Sequence, residues 1–336
     1  MSLAEQLKNA AARDLLRLHT PGHKGSICEL DLTELSDDSF PGEYLAAAEN
    51  NAARIYGAKH ARFLCGGSSQ GVKSAIYHAD CDGIIDVNSH RSVFDGFTLA
   101  RKNCITVGER GVTPVTVKQI DGALKRGVKA VVVTTPTYYG FCADVDGIRD
   151  YCKRNGLLLI ADSAHGAHFG FSPLLPKSVA PLADICNVST HKTLSALTQS
   201  ALLFDNLGEA EHNKLMGAVD VMGTTSPSYP LYASIDYAVN KAAEKATADA
   251  YEKLYAPIES VKTEYPFLKN DDFTRLVLDC AALNVDSHKL NGALSARGVY
   301  SELEDGRHIV FIFTAENGAN DVARLSEALY QSVREL

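Results

Sequence analysis

Two stretches hold residue types capable of covalent chemistry. One is Ser189-Thr190-His191-Lys192-Thr193-Leu194-Ser195; the other, upstream, is Ala161-Asp162-Ser163-Ala164-His165-Gly166-Ala167-His168. Lys192 offers an amine that can attack a carbonyl. Asp162 follows the apolar run Leu157-Leu158-Leu159-Ile160-Ala161, where an unpaired carboxylate is costly. A cationic ring nitrogen would be its partner and would hold the carboxyl ionised. A lysine nucleophile and a carboxylate facing a protonated pyridine are what pyridoxal 5'-phosphate (PLP) chemistry requires. The two are 192 − 162 = 30 residues apart, room for one strand and its turns. His165 and His168 invite a zinc reading, but no third ligand of suitable spacing lies near them, so no metal is expected.

A third stretch fits the same chemistry. The short strand Ala61-Arg62-Phe63-Leu64-Cys65 runs into Gly66-Gly67-Ser68-Ser69-Gln70-Gly71 and then a helical pattern. A strand, a Gly/Ser turn and a helix start make an anion site, because free backbone N–H groups and the helix dipole point at the ligand. Ser68 and Ser69 are the candidate phosphate ligands.

Alternating elements must bring these stretches together. Strand-like runs fall at Ile84–Val87, Cys104–Val107, Ala130–Thr134, Leu157–Ala161, Ile185–Ser189 and Ala201–Phe204, with helical runs near 91–102, 116–126 and 145–155. This order predicts a mostly parallel sheet with helices on both faces. Ligands then bind at the carboxyl ends of the strands, where Asp162, Lys192, Ser68 and His90 all fall. Upstream, residues 2–18 read as an amphipathic helix through Leu3, Leu7, Ala11, Leu15 and Leu18, followed by the loop His19-Thr20-Pro21-Gly22-His23-Lys24-Gly25 and a second helix over 43–56. Helical patterns recur over 207–220 and 231–264. The order then becomes strand (Arg275–Leu278), helix (287–297), two strands (Tyr300–Glu304, His308–Phe313) and helix (319–334), a small α+β unit. The expected divisions are an N-terminal helix and loop (1–25), a large cofactor-binding domain (26–240) and a small C-terminal domain (241–336).

Composition narrows the class. The chain has 336 residues, 46% hydrophobic and 22% charged, with a formal charge of −8. That argues against a nucleic-acid binder or a binder of acidic membranes. Eight cysteines without a C-x-x-C pair read as free thiols in a reducing compartment. No apolar run approaches the ~18 residues of a membrane span, and no signal-peptide core opens the chain. The expectation is a cytoplasmic protein.

The chain resembles the ornithine/lysine/arginine decarboxylase family of fold-type-I PLP enzymes. The resemblance rests on Thr20-Pro21-Gly22-His23-Lys24-Gly25, Asn88-Ser89-His90-Arg91-Ser92, Pro136-Thr137-Tyr138-Tyr139-Gly140, Asp162 through Phe169, Ser189 through Gln199, and Thr225-Ser226-Pro227-Ser228-Tyr229, in family order over roughly residues 18–230. The run from Ser189 to Gln199 is its most specific part. Three positions depart from the family pattern: Ser163 where it has Glu, Val87 where it has Arg, and Ser69 where the phosphate turn has Thr. The chain is also expected to lack the N-terminal wing and the extra C-terminal domain of larger members.

The resemblance implies a role for each residue. Lys192 would carry the cofactor, and Asp162 would face its ring nitrogen. Ser189 and His191 would reach the phosphate. Ala164 would lie under the ring, and His90 would stack on its other face. His165 would bond the phenolic oxygen or donate a proton; His90 and Lys192 are the other candidate donors. Thr225 and Ser226 would reach the phosphate of a neighbouring subunit, so a homodimer or higher homo-oligomer is expected. Two substrate contacts are also suggested. His23 sits in the Thr-Pro-Gly-His-Lys loop, and Arg307 stands before the last strand, where related enzymes place a carboxylate-binding arginine. The implied activity is decarboxylation of lysine, arginine or ornithine to the amine, a step of polyamine biosynthesis. The alternatives are an aminotransferase or β-lyase, which share the lysine and aspartate, and a non-catalytic PLP-binding homologue. The sequence assigns no acidic residue to the substrate's distal cation.

Overall fold

The computed structural model describes residues 2–12, 16–32 and 42–336. The first helix, α1 (Leu3–Ala11), opens on a capping box in which Ser2 and Glu5 satisfy each other's backbone N–H groups. It ends sooner than the expected residue 18. Leu18 sits in irregular chain and is 82% exposed, so the apolar spacing there has no core to bury against. Leu15 lies outside the described residues.

From α2 (Gly42–Tyr56) the alternation unfolds as β1 (His60–Leu64), α3 (Gly67–Ala79), β2 (Asp82–Asp86), α4 (Arg91–Ala100), β3 (Cys104–Val107), α5 (Val117–Ala123), β4 (Val128–Thr134), α6 (Val145–Asn155), β5 (Leu158–Asp162), β6 (Ile185–Val188), the single turn α7 (Thr190–Thr193) and β7 (Ala201–Asp205). These strands form one seven-stranded sheet in the order β1-β7-β6-β5-β4-β2-β3. Only β7 runs against the others. The sheet is covered on both faces, so its central strands are apolar at nearly every position. Side chains alternate between faces. Val131, Val133, Leu159, Ala161 and Cys186 pack into one core, Val132, Ile160 and Ile185 into the other. This alternation places Asp162 on the same face as Ile160, the face covered by α3 and α4.

Helices α8 (Glu209–Met222), α9 (Tyr229–Ala242) and α10 (Lys245–Glu264) lead into β8 (Arg275–Asp279), α11 (Ser287–Ala296), β9 (Leu303–Glu304), β10 (His308–Ile312) and α12 (Ala319–Glu335). The expected helical stretch 231–264 is thus two helices with a break at Ala243-Glu244. A three-stranded antiparallel sheet, β8-β10-β9, packs with α10, α11 and α12 around its own core of Tyr251, Leu254, Leu276, Leu290, Ile309 and Leu325.

Buried polar contacts fasten β8 to the large sheet's loops. Asp271 and Asp272 both donate their N–H to the Gly140 carbonyl at 3.1 Å. Gly140 has φ +83°, and a Cβ there would lie 2.9 Å from Arg275 Cβ, so only glycine fits this approach. His168 Nε2 lies 3.2 Å from Asp272 Oδ2, and the Thr274 hydroxyl donates to Asp272 Oδ1 at 2.6 Å. Burial alone would push the Asp272 carboxyl up, but His168, Arg275 and Thr274 together outweigh it and hold it at about 2. Such a depressed carboxyl adds stability that is complete above its unfolded value of 3.8 and is lost as pH falls toward about 2. Asp272→Asn leaves the buried Arg275 without its counter-charge. It should cost about 3–5 kcal/mol in urea unfolding at pH 7, and a loss under about 1 kcal/mol would show that Arg275 is balanced elsewhere.

Candidate active site

The carboxyl ends of β4, β5 and β6 meet in register, with Thr134 opposite Asp162 and Asp162 opposite Asn187. A cavity of about 440 Å³ opens there. It gathers Ser68, Ser69, His90, Asp162, Ala164, His165, Ser189, His191 and Lys192. Nine of the residues singled out from sequence are therefore brought to one place from four separate strand ends.

One wall is the start of α3. Gly66 caps it with no side-chain hydrogen bond, so the first-turn N–H groups at Gly67, Ser68 and Ser69 have no partner within the helix. A bound anion would satisfy them. Opposite, Ser189 Oγ is buried and has no hydrogen-bond partner. His191 sets its Nδ1 2.9 Å from the Ser200 carbonyl. An N–H on Nδ1 makes that bond, leaving Nε2 as the ring atom free for a ligand. A phosphate would complete all of these groups at once.

The ring-nitrogen position is equally specific. Asp162 is buried, and one of its oxygens accepts from the Ala164 N–H at 3.2 Å. Burial pushes its carboxyl up, against the pull of Lys192 and His90. A further cation beside Asp162 would oppose that rise, and a pyridinium would be such a cation. Lys192 is also partly withdrawn from water, and burial pulls its ammonium below the ordinary lysine range. Its Nζ lies 3.0 Å from His165 Nε2. His90 caps α4 by accepting the Ser92 N–H on Nδ1 at 3.2 Å. PLP therefore fits the residues present: a phosphate cradle, an aspartate for the ring nitrogen and a lysine drawn toward its neutral, nucleophilic form.

Four expected contacts are not brought to this cavity. Arg307 is 62% exposed on its side chain and is held by Asp279 at 2.8 Å, so the arginine expected beside the substrate is a surface ion pair. The arginine behind the site is Arg275, fully buried at the start of β8. His23 pairs with Asp31 at 3.0 Å. Thr225 and Ser226 line a second cavity of about 410 Å³ with Thr20, Pro21 and Asp31. His165 and His168 are likewise committed to Arg275 and Asp272. Among the described residues, only His60, Asp205 and His212 group as metal ligands would. The two rings there stack 24° from parallel at 4.0 Å, so their in-plane lone pairs run side by side rather than converge.

Several lining residues were not expected: Asn88, Thr134, Pro136, Tyr138 and Glu302. Thr134 had a readable signal, since it ends a parallel strand. Glu302 had none, because it reaches the cavity from the small sheet. Ser163 is buried and away from the cavity, its Oγ 2.4 Å from where a Cβ on Gly166 would sit. The departure from the family pattern thus falls behind the cofactor wall.

Fold and site together define a fold-type-I pyridoxal-phosphate enzyme. The solved lysine decarboxylase A from Pseudomonas aeruginosa superposes with a TM-score of 0.83 at 18% identity, covering 99% of this chain and 60% of that one. Serine palmitoyltransferase from Sphingomonas wittichii does so at 0.70 and 16%, over 87% and 76%. The chain belongs to the Orn/Lys/Arg decarboxylase family, whose major domain matches residues 26–278. It is 27% identical to the arginine decarboxylase of Bacillus subtilis over 98% of this chain and 76% of that protein. With the lysine decarboxylase LdcA of Pseudomonas aeruginosa it shares 25% over 66% of this chain and 37% of that protein.

Asp162 supplies a stability test. A carboxyl raised by folding stabilises below its unfolded value and loses that contribution as pH rises through its folded value. At neutral pH it therefore works against the cofactor-free fold. Asp162→Asn should raise the cofactor-free melting midpoint by roughly 2–4 °C, and added PLP should stabilise the variant less than the natural chain. A lower cofactor-free midpoint with an undiminished PLP response would remove Asp162 from the ring nitrogen.

Proposed function

We propose that this chain binds PLP in the cavity around Lys192 and decarboxylates a basic amino acid, arginine, lysine or ornithine, to its amine. The observation that carries the choice of a basic substrate is Glu302. The phosphate, ring nitrogen and reacting carbonyl of the cofactor account for the α3 start, Ser189, His191, Asp162 and Lys192. One carboxylate remains in the cavity, Glu302, which stands just before β9 and accepts from the Tyr138 hydroxyl. It is suited to a distal ammonium or guanidinium.

When bound, PLP supplies a carbonyl for the substrate's amine and a ring that takes up the electron pair left at Cα. The chain supplies the rest. Asp162 keeps a proton on the ring nitrogen. The α3 N-terminus, Ser68, Ser69, Ser189 and His191 fix the phosphate, and His90 and Ala164 bound the space for the ring. Glu302 anchors the far end of the substrate and so sets which Cα bond is presented. The net reaction breaks the bond from Cα to the carboxylate, releases carbon dioxide and puts a proton in its place. Lys192 and His90 are positioned to deliver that proton.

The same reading includes a homodimer. Thr225 and Ser226 do not reach their own chain's cavity, and Leu16, Leu18, Ile27 and Val221 are largely exposed. A second copy would cover such side chains and bring Thr225 and Ser226 to a neighbouring phosphate. We place the division between large and small domains at the Ala243-Glu244 break, and the protein in the cytoplasm. No helix among the described residues is long and apolar enough to cross a membrane, and all eight cysteines are free thiols.

Product analysis after incubation with PLP and a panel of amino acids tests the activity. Carbon dioxide and an amine from a basic substrate are expected. Keto-acid formation would favour an aminotransferase, and bound cofactor without turnover would favour a non-catalytic homologue. Glu302→Gln should lower kcat/KM for the basic substrate about 10- to 100-fold, the worth of a charge-assisted hydrogen bond, and spare residual turnover of norleucine. An equal loss on both substrates would assign Glu302 to holding Tyr138 instead.

A further inference from the structure

His165 is held between two nitrogen donors. Its Nε2 lies 3.0 Å from Lys192 Nζ, and its Nδ1 lies 3.2 Å from Arg275 Nη1. A neutral imidazole has one N–H and one lone pair. A guanidinium is always protonated and has no lone pair to offer. The contact with Arg275 therefore requires the lone pair on Nδ1, which leaves the ring proton on Nε2, facing Lys192. An ammonium has no lone pair either. The 3.0 Å contact is then a hydrogen bond only when Lys192 is a neutral amine accepting from Nε2–H. A doubly protonated ring would set two N–H groups against two cations.

We propose that Arg275 is a positioning residue that fixes His165 as its Nε2–H tautomer and, through that ring, holds Lys192 as a neutral amine aimed into the cavity. This rests on the reading above only in taking Lys192 as the reacting lysine.

The surroundings support the assignment. Arg275 is fully buried and also donates from Nη1 to the Tyr138 carbonyl at 3.2 Å. Burial pulls the Arg275 guanidinium below the ordinary arginine range and Asp272 is the main charge opposing this; a guanidinium stays protonated even so and remains a charged donor. The Tyr138 ring packs edge-on to His165 at 4.6 Å, which fixes the imidazole plane. Burial first, then Lys192 and Arg275, with His168 and His90 adding, draw the His165 ring well below the usual histidine range. Burial draws the Lys192 ammonium below the ordinary lysine range against Asp162 and Glu302, and Arg275 adds to the lowering. In this arrangement His165 does not act as a base of its own. It is a donor that returns its hydrogen bond to the amine whenever Lys192 is free.

Nitrogen-15 NMR of the full chain labelled at histidine tests the tautomer directly, with and without PLP. The expected result is a protonated Nε2 and an unprotonated Nδ1 on His165, unchanged from pH 6 to 9. A proton on Nδ1, or titration of His165 within that range in the natural chain, overturns the proposal without any variant. Competitive acetylation of the cofactor-free chain at pH 7 reads the amine. Lys192 should react faster than surface lysines, and Arg275→Met should slow it about tenfold, the equivalent of one pKa unit. Arg275→Lys, which retains a cationic donor, should restore much of that rate. Unchanged tautomer and acetylation in a folded Arg275→Met chain would also overturn it. The tautomer is read without substrate. A chain that turns over no amino acid but keeps Nε2–H therefore defeats the functional reading alone, and an active chain with Nδ1–H defeats this inference alone.

Discussion

A carboxylate buried at the end of a parallel strand must be given a cation, and most of the large domain follows from that requirement. Asp162 closes a strand of leucine, isoleucine and alanine in which every other position faces one core and the rest face another. Burial raises its carboxyl, and the cations within the chain only partly counter this. An unpaired ionised carboxylate there would cost several kcal/mol. The fold therefore leaves an unfinished interaction at the point where strand ends, the start of α3 and Lys192 converge. A ligand that brings a phosphate and a cationic ring nitrogen completes it. The α3 start, which has no side-chain cap, and the buried Ser189 hydroxyl are the groups such a phosphate would engage.

The small sheet contributes a second buried charge set, in which both signs come from the chain itself, although Arg275 Nε and Nη2 have no hydrogen-bond partner. Arg275 and Asp272 leave water together on the approach to β8, and each is tied to one histidine of the loop after β5. The motif that suggested zinc from its spacing is thus a clasp between two sheets. The same clasp puts a fixed positive charge behind Lys192. Stability and reactivity are linked here, since the Arg275 that donates to His165 and the Tyr138 carbonyl also adds to the burial that draws Lys192 toward neutrality.

The sequence shows the large sheet well because its strands are buried on both faces. Runs such as Val131-Val132-Val133 and Leu158-Leu159-Ile160 have few alternative readings, and Val145–Asn155 has a capping Asp144 before it and Gly156 after it. Ser68, Asp162 and Lys192 were legible because each sits just past a strand's carboxyl end or at a helix start. Arg307 and Arg275 show where this fails. Both arginines flank a strand of the small sheet, and only tertiary packing decides that one is exposed on Asp279 and the other sealed behind His165. Glu302 was hidden for the same reason, because it enters the cavity from a short edge strand far along the chain. The helix expected to residue 18 overreached because leucine spacing reports a face that could be buried, not whether anything covers it.

The solved relatives set a limit on what the shared machinery can decide. A lysine decarboxylase and a serine palmitoyltransferase both superpose on this chain, so the sheet, the lysine and the aspartate do not choose a reaction. What distinguishes this cavity is how charge is distributed across it. At the cofactor end, burial raises the Asp162 carboxyl, and burial first, with Arg275 adding, draws Lys192 toward neutrality. At the other end, Glu302 stands on the small sheet with Tyr138 holding its carboxylate. On the proposed function, a substrate with a positive tail would be drawn to that far end and its amine would reach the near end, beside Lys192. An amino acid with an acidic or apolar tail meets an unfavourable charge or an unpaired one there, so discrimination follows from a repulsive element as much as an attractive one. Ser163 leaves this polarity untouched, since it lies buried beneath Gly166 on the opposite side of the strand end. The departure from the family pattern at that position therefore lies in the packing beneath the loop, away from the charges that the proposed function assigns to a basic amino acid.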